Sequence, residues 1–117
     1  MKRSTAKRLH DAIQAIEAIE RFTQDMDYET YASNEMAMAA VERKFEIISE
    51  ALKNAAAEDA SIQASITVLP QIIGLRNRIA HDYEQIDQEI LWTIRSLWLP
   101  KPKAEASELL STYQDAP

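Results

Sequence analysis

An all-α fold, a bundle of four main helices with a short C-terminal helix, is predicted by three features of this chain. Apolar residues recur at spacings of three and four positions and do not alternate as they would in strands. The 117 residues include one glycine and four prolines, so few positions interrupt a helix. A hydrophobic content of 46% is enough for a modest core, and the length fits a single domain over residues 1–117.

Two amphipathic helices open the chain and are expected to pack against each other in antiparallel orientation. The first is predicted to be capped by Ser4, and its apolar positions are Leu9, Ile13, Ile16 and Ile19. The second follows Ser33 or Asn34 as its cap, and its seam consists of Met38, Val41, Phe45, Ile48, Leu52 and Ala55. Too few heptads are present for a coiled coil, so the seam is predicted to form core within one chain. A short helical turn is expected at 27–31.

Two further helices are predicted after a loop that begins near residue 58 and holds one helical turn. Pro70 suits the first turn of the third helix, whose apolar face is Ile72, Leu75 and Ile79. Gly74 lies inside this helix at a cost of about 1 kcal/mol relative to alanine. A close helix or subunit contact would explain that cost as readily as chance. Asp87 is the predicted cap of the fourth helix, which is expected to bury Trp98 and to stop at the proline-containing run 99–102.

Composition and charge limit the classes of function. The net charge of −6 argues against a broad nucleic-acid-coating role, although a small, focused basic site is compatible with it. The chain lacks cysteine, His10 and Asp11 point apart on a helix, and no metal site or cofactor is predicted. Glu42, Glu46 and Glu50 are expected to form a solvated helix face. Without a membrane-spanning run or a signal-peptide pattern, we expect a cytoplasmic protein with no membrane association.

The most informative segment is the octapeptide Arg-Asn-Arg-Ile-Ala-His-Asp-Tyr at residues 76–83. Arg76 supplies a permanent charge and donors matched to phosphate, and His81 can exchange a proton near neutral pH. Tyr83 adds a hydroxyl group. These residue types predict chemistry on a phosphodiester. RNA is the favoured substrate because its 2′-hydroxyl is a built-in nucleophile, so no metal ion is required.

Helical geometry sets a condition on this site. On an ideal helix, positions 76 and 81 lie about 140° apart and cannot both face one phosphate. Either the helix ends near Ala80 and the chain turns back, or two chains meet at a two-fold axis and share one composite site. The second arrangement would bring together two histidines, one as base and one as acid. An ordinary structural role also remains open, because cations are common at helix C-termini.

The run 72–83, followed by Ile86 and Asp87, resembles the signature of the HepT-like toxins within the HEPN group of helical ribonucleases. The segments 12–23 and 46–51 are similar to that family's first two helices, with Ser49 where glycine is expected. The resemblance covers roughly residues 3–100. It implies a symmetric all-α dimer and metal-independent RNA cleavage at the dimer interface, with Arg76 and His81 as catalytic residues and Asn77 in support.

The resemblance also implies a biological setting and partners. The chain would be the toxin of a type VII-like toxin–antitoxin module, with Arg78 and Tyr83 contacting RNA. An MntA-like nucleotidyltransferase would neutralise it by attaching AMP to Tyr83, which adds bulk and negative charge where an RNA phosphate would dock. The alternative is a non-catalytic helical subunit, in which the same residues bind a nucleotide or seat the nucleotidyltransferase.

Overall fold

A computed structural model of the protein describes the backbone of residues 1–81 and 87–115, and the side chains of residues 1–75 and 87–113. Every regular element within these ranges is helical, which confirms the predicted all-α class. The elements in chain order are α1 (Arg3–Phe22), α2 (Tyr28–Ala32), α3 (Glu35–Glu58), α4 (Ser61–Ser65), α5 (Leu69–His81), α6 (Gln88–Thr93), a π-helix (Ile94–Trp98) and α7 (Pro100–Asp115).

The core is built around the antiparallel pair α1 and α3, as the hydrophobic seams predict. These two helices make the most extensive contact in the fold, and α5 and α7 add to it by packing on α3 and on α1, respectively. The large hydrophobic side chains that are fully buried on α1 and α3 are Leu9, Ile16, Ile19, Val41, Phe45, Ile48 and Leu52. Partial burial of Ile13 and Met38 completes the predicted seams at the edge of the core.

Hydrogen bonds at the far end of α3 fasten this pair together and correct the prediction that Ser4 caps α1. The helix begins at Arg3, and its N-cap residue, Lys2, makes no side-chain capping bond. Ser4 and Thr5 instead donate to the Glu58 carboxylate at 2.9 and 2.7 Å, and Arg8 Nε donates to it at 2.9 Å. The start of α1 is therefore held by the end of α3. These bonds hold the pKa of Glu58 at about 2, the Thr5 bond contributing most.

Other helix starts agree with the sequence. Asn34 caps α3 by accepting from the Ala37 amide at 3.0 Å, and Asp87 caps α6. The predicted turn near residue 28 is α2, the one in the 58–61 loop is α4, and Pro70 lies in the first turn of α5.

The fourth helix ends before the 99–102 run, as predicted, but the break is limited to Leu99 because Pro100 begins α7. A proline fits the first turn of a helix, where the missing N–H has no intrahelical partner to lose. The C-terminal helix is consequently 16 residues long, not short. Among the described residues, none of the helices combines the length and apolar character that crossing a bilayer requires.

Candidate active site

Helix α5 carries most of the predicted site. Arg76, Asn77, Arg78 and His81 all lie on this helix, which runs through His81 itself. Their side chains, and the whole of Tyr83, lie outside the described residues. The backbone nevertheless fixes the helical position of each of the four. One of the two arrangements considered from the sequence had the helix end near Ala80; α5 ends one residue later, at His81.

The positions of Arg76 and His81 lie on different sides of α5. Taking about 100° of rotation per residue, position 76 is about 40° from Ile72, which is buried against the core. Position 81 is about 180° from Ile72 and only about 20° from Gly74. Gly74 is exposed. The arginine position therefore belongs to the core side of the backbone and the histidine position to the outer side.

The core side of α5 is held by a buried side-chain bond from α3. Ser49 is fully buried, and its hydroxyl donates to the Ile72 carbonyl oxygen at 2.6 Å. In an α-helix that carbonyl also accepts from the amide four residues later, which is that of Arg76. Ser49 therefore stabilises the helical turn that leads to Arg76, a contact that glycine at this position would lack.

A groove of about 920 Å³ lies between α5, at its exposed Gly74 and the adjoining edge of its buried side, and the segment formed by α6 and the π-helix. Gly74 and Leu75 form part of one wall, and Trp92 and Trp98 form part of the other. A Cβ atom built on Gly74 would meet nothing within 4 Å, so no close contact among the described residues explains this glycine. Trp98 is 39% exposed and Leu97 is 73% exposed, which corrects the prediction that Trp98 is core.

The start of α6 is anchored by a polar cluster that the sequence did not reveal. The Tyr31 hydroxyl donates to Gln88 Oε1 at 2.5 Å, and the Glu42 carboxylate lies next to the Gln88 side chain. Burial raises the pKa of the Tyr31 hydroxyl, and the nearby Glu42 charge raises it further. Burial also raises the pKa of Glu42, an effect that the Gln88 side chain opposes and Glu46 reinforces. Glu42 and Glu46 are half-buried, so Glu50 alone of the predicted solvated stripe belongs to the exposed surface.

Aromatic contacts connect the same region to α1. The rings of Tyr31 and Trp92 lie 4.9 Å apart between centroids, and the Arg95 guanidinium lies 4.4 Å from the centroid of the Trp92 ring. Arg95 Nε also donates to the Thr23 hydroxyl, at 2.9 Å, just beyond the end of α1. Together with the Asp87 cap, these contacts fix the orientation of α6 relative to the core.

Comparison with known protein families matches this site to one family. The family model described as "Ribonuclease HepT-like" matches residues 12–109, a range that includes α5 and the octapeptide. The chain belongs to the ribonuclease HepT-like family. The resemblance drawn from the sequence is therefore confirmed, as is its coarse functional consequence, a ribonuclease.

Individual HepT-like relatives support the assignment along nearly the whole chain. A Thermococcus cleftensis protein named "Probable ribonuclease HepT" is 31% identical over 93% of this chain and 98% of its own length. A Methanocaldococcus jannaschii protein named "Putative RNase MJ1380" is 33% identical over 89% of this chain and 94% of its own. A second protein of that organism, "Putative RNase MJ0125", is 28% identical over 97% of both chains. No solved structure matches the chain closely enough to count as a relative.

Two residues near the site were not identified from the sequence. Tyr31 lies at the end of the helical turn expected at 27–31, and nothing in the sequence marks it as completely buried. Nothing in the sequence marks Gln88 either, although its side chain accepts a bond from Tyr31 and lies next to Glu42. These contacts join residues more than 40 positions apart, and local spacing carries no signal for them. The local pattern that could have drawn attention to Tyr31 is its position in a five-residue helix capped by Asp27.

Proposed function

We propose that this chain is the toxin of a type VII-like toxin–antitoxin module and acts as a metal-independent endoribonuclease. Arg76 and His81 are the catalytic residues, Asn77 supports them, and Arg78 and Tyr83 contact the RNA. The observation that carries the proposal is the complete Arg-x4-His-x-Tyr motif, which begins on α5 and lies within the matched HepT-like region.

The chemistry uses the nucleophile that RNA supplies. His81 accepts the proton of the 2′-hydroxyl as its oxygen attacks the adjacent phosphorus. The bond from phosphorus to the 5′-oxygen breaks, and His81 of the partner subunit donates a proton to that oxygen. The products are a 2′,3′-cyclic phosphate and a free 5′-hydroxyl. Arg76 stabilises the negative charge that builds on the phosphate oxygens.

A symmetric homodimer in which both chains contribute to each site is part of this proposal. The separation of about 140° between positions 76 and 81 on α5 favours sharing, because one straight helix cannot direct both toward one phosphate. The exposed apolar groove next to Gly74 supports it too, since position 81 lies on the same side of α5. Exposed Leu97 and Trp98 add apolar surface for a second copy.

Regulation follows from the position of Tyr83, two residues after His81 in the sequence. A cognate MntA-like nucleotidyltransferase would transfer AMP to the Tyr83 hydroxyl. The added phosphate would repel the RNA backbone and occupy the space it needs. Replacing Tyr83 by phenylalanine should therefore prevent neutralisation, and mass spectrometry should find AMP on Tyr83 of the wild-type chain only.

The decisive experiment measures cleavage of total cellular RNA and tRNA in the presence of EDTA. We expect wild type to cleave and both His81→Ala and Arg76→Ala to lose activity by a factor of about 10²–10⁴. His10→Ala is the matched control, because His10 is the other histidine of the chain and is exposed on α1. No cleavage by unmodified, dimeric wild type would favour a partner-docking or nucleotide-binding subunit.

Subunit mixing tests whether the two chains share each site. Wild type is exchanged with increasing amounts of His81→Ala chain, and total cleavage is measured. If each site requires both histidines, an equal mixture retains about a quarter of the activity, since only wild-type pairs are active. Retention of about half would mean that each site needs only one histidine, which would reject a site that uses both.

A further inference from the structure

The connection that contains Tyr83 begins where α5 ends at His81 and reaches α6 at Gln88. Residues 82–86 lie outside the described range, whereas both flanking elements are described. The N-terminal side is held by α5 on the core. The C-terminal side is held by Asp87, which caps α6, and by the bond between the Gln88 side chain and Tyr31.

We propose that Tyr31 and Glu42 are positioning residues, which act through Gln88 to fix the end of the connection that carries Tyr83. The inference rests on the proposed function, in which His81 and Tyr83 meet RNA. Neither Tyr31 nor Glu42 is assigned contact with substrate. Their role is to hold one end of the segment in register with the site.

The chemistry of the cluster suits this role. A glutamine amide has one acceptor oxygen and a donor nitrogen, and here each end has a matching partner. The Tyr31 hydroxyl donates to the oxygen at 2.5 Å, and the Glu42 carboxylate is the acceptor available for the nitrogen. Rotation of this amide would break the Tyr31 bond. Tyr31 and Glu42 reside on α2 and α3, so the neighbours of the Gln88 side chain lie on two separate helices.

The Tyr31 hydroxyl is not needed for packing alone. Tyr31 is completely buried, and its ring packs against Trp92 with centroids 4.9 Å apart. A phenylalanine ring would preserve that contact. A buried hydroxyl must find a partner or incur a desolvation cost, so its presence points to the bond with Gln88 as its purpose.

Gln88 is close to the proposed site along the chain. Gln88 follows Tyr83 by five residues and His81 by seven. A chain spans at most about 3.5 Å per residue, so only a short segment separates Gln88 from Tyr83. A shift of Gln88 is therefore expected to shift Tyr83 as well. A misplacement of about 1 Å can reduce an enzyme's rate by about a hundredfold.

The test compares Tyr31→Phe with Tyr113→Phe, a matched loss of a tyrosine hydroxyl from α7. We expect Tyr31→Phe to lower kcat for RNA cleavage about tenfold. KM should remain close to wild type, and the melting temperature should fall only by the small amount expected for the loss of one hydrogen bond. Tyr113→Phe should change none of these quantities. Gln88→Leu should resemble Tyr31→Phe, and the double variant should be no slower than either single variant because both remove the same bond.

Conservative replacement of Glu42 separates positioning from general stability. Glu42→Gln keeps an acceptor oxygen for Gln88 and should retain a near-wild-type kcat. Glu42→Leu removes that acceptor and should lower kcat as Tyr31→Phe does. A role limited to folding stability would instead shift the melting temperature and the fraction of active protein, leaving kcat per active site unchanged.

Hydrogen–deuterium exchange provides a readout that does not depend on cleavage. The Leu91 amide donates to the Asp87 carbonyl at 3.3 Å, within the first turn of α6. Its exchange should accelerate in Tyr31→Phe and not in Tyr113→Phe. Unchanged exchange together with a kcat within twofold of wild type would overturn the proposal. A wild-type chain that does not cleave RNA would overturn the proposed function instead. In that case the exchange rate of the Leu91 amide would show alone whether the Tyr31 bond holds the start of α6.

Discussion

Replacing Gly74 by alanine is expected to stabilise the isolated chain. Gly74 lies inside α5, where glycine costs about 1 kcal/mol relative to alanine because the unfolded backbone has more freedom to lose. A Cβ atom at this position would meet nothing within 4 Å, so no steric penalty offsets the gain. The expected increase in the free energy of unfolding is therefore close to the full 1 kcal/mol. For a chain of this length it corresponds to a rise in melting temperature of about 4 °C.

Thermal unfolding followed by circular dichroism over a series of protein concentrations measures this effect. At the lowest concentrations, where chains are monomeric, Gly74→Ala should melt above wild type by the stated amount. A lower melting temperature in that regime would refute the reasoning, because it would require a neighbour of Gly74 within the chain.

A larger replacement at the same position separates folding from assembly. Gly74→Arg places a long charged side chain in the open groove, so the monomer should remain folded. If the groove receives a second copy, the arginine should abolish the dimer in sedimentation measurements and RNA cleavage with it. Ser111→Arg, at an exposed position of α7, is the control for added charge. A dimer that survives Gly74→Arg would exclude this face as the subunit contact.

Three further predictions concern the scaffold. Phe45→Ala removes a completely buried ring between α1 and α3 and should cost about 3–5 kcal/mol, measured as a lower urea midpoint. Ser49→Ala removes the 2.6 Å bond to the Ile72 carbonyl, which keeps its backbone hydrogen bond within α5. The free energy of unfolding should therefore fall by about 1 kcal/mol in the same assay. Glu58 has its pKa lowered from 4.5 to about 2 in the folded chain, so the stability it contributes is present above pH 4.5 and is lost as the pH falls toward 2. Glu58→Gln should therefore destabilise the chain at pH 7 more than at pH 3, and equal losses at both values would contradict this assignment.

Patterns that depend on neighbouring residues were predicted well. Spacing and local hydrogen bonding account for the seams of α1 and α3 and for the Asn34 and Asp87 caps. They also account for Pro70 in the first turn of α5. The motif on α5 was also identifiable, because its residue types and order are unusual enough to indicate a family. The side-chain arrangement of that motif stays a prediction.

Features that depend on distant partners were not predictable in the same way. Ser4 has the residue type of a helix cap, but the Glu58 carboxylate 54 positions away accepts its hydroxyl bond. Trp98 has the hydrophobicity of a core residue, but the π-helix places it at the rim of a groove. The Tyr31–Gln88 bond joins residues 57 positions apart. In each case the deciding interaction is set by the packing of helices.

The two sides of α5 allow catalysis and folding to be perturbed separately. The side that includes Ile72 and Leu75 is buried, and Ser49 fastens it to α3, so substitutions there should change the stability of each chain. The side that includes Gly74 is open, so substitutions there should affect what binds to the helix while each chain remains folded. Since position 76 belongs to the first side and position 81 to the second, we expect substitutions in the core to affect the arginine position and substitutions in the groove to affect the histidine position. On the proposal that two chains share each site, cleavage should increase with dimer concentration.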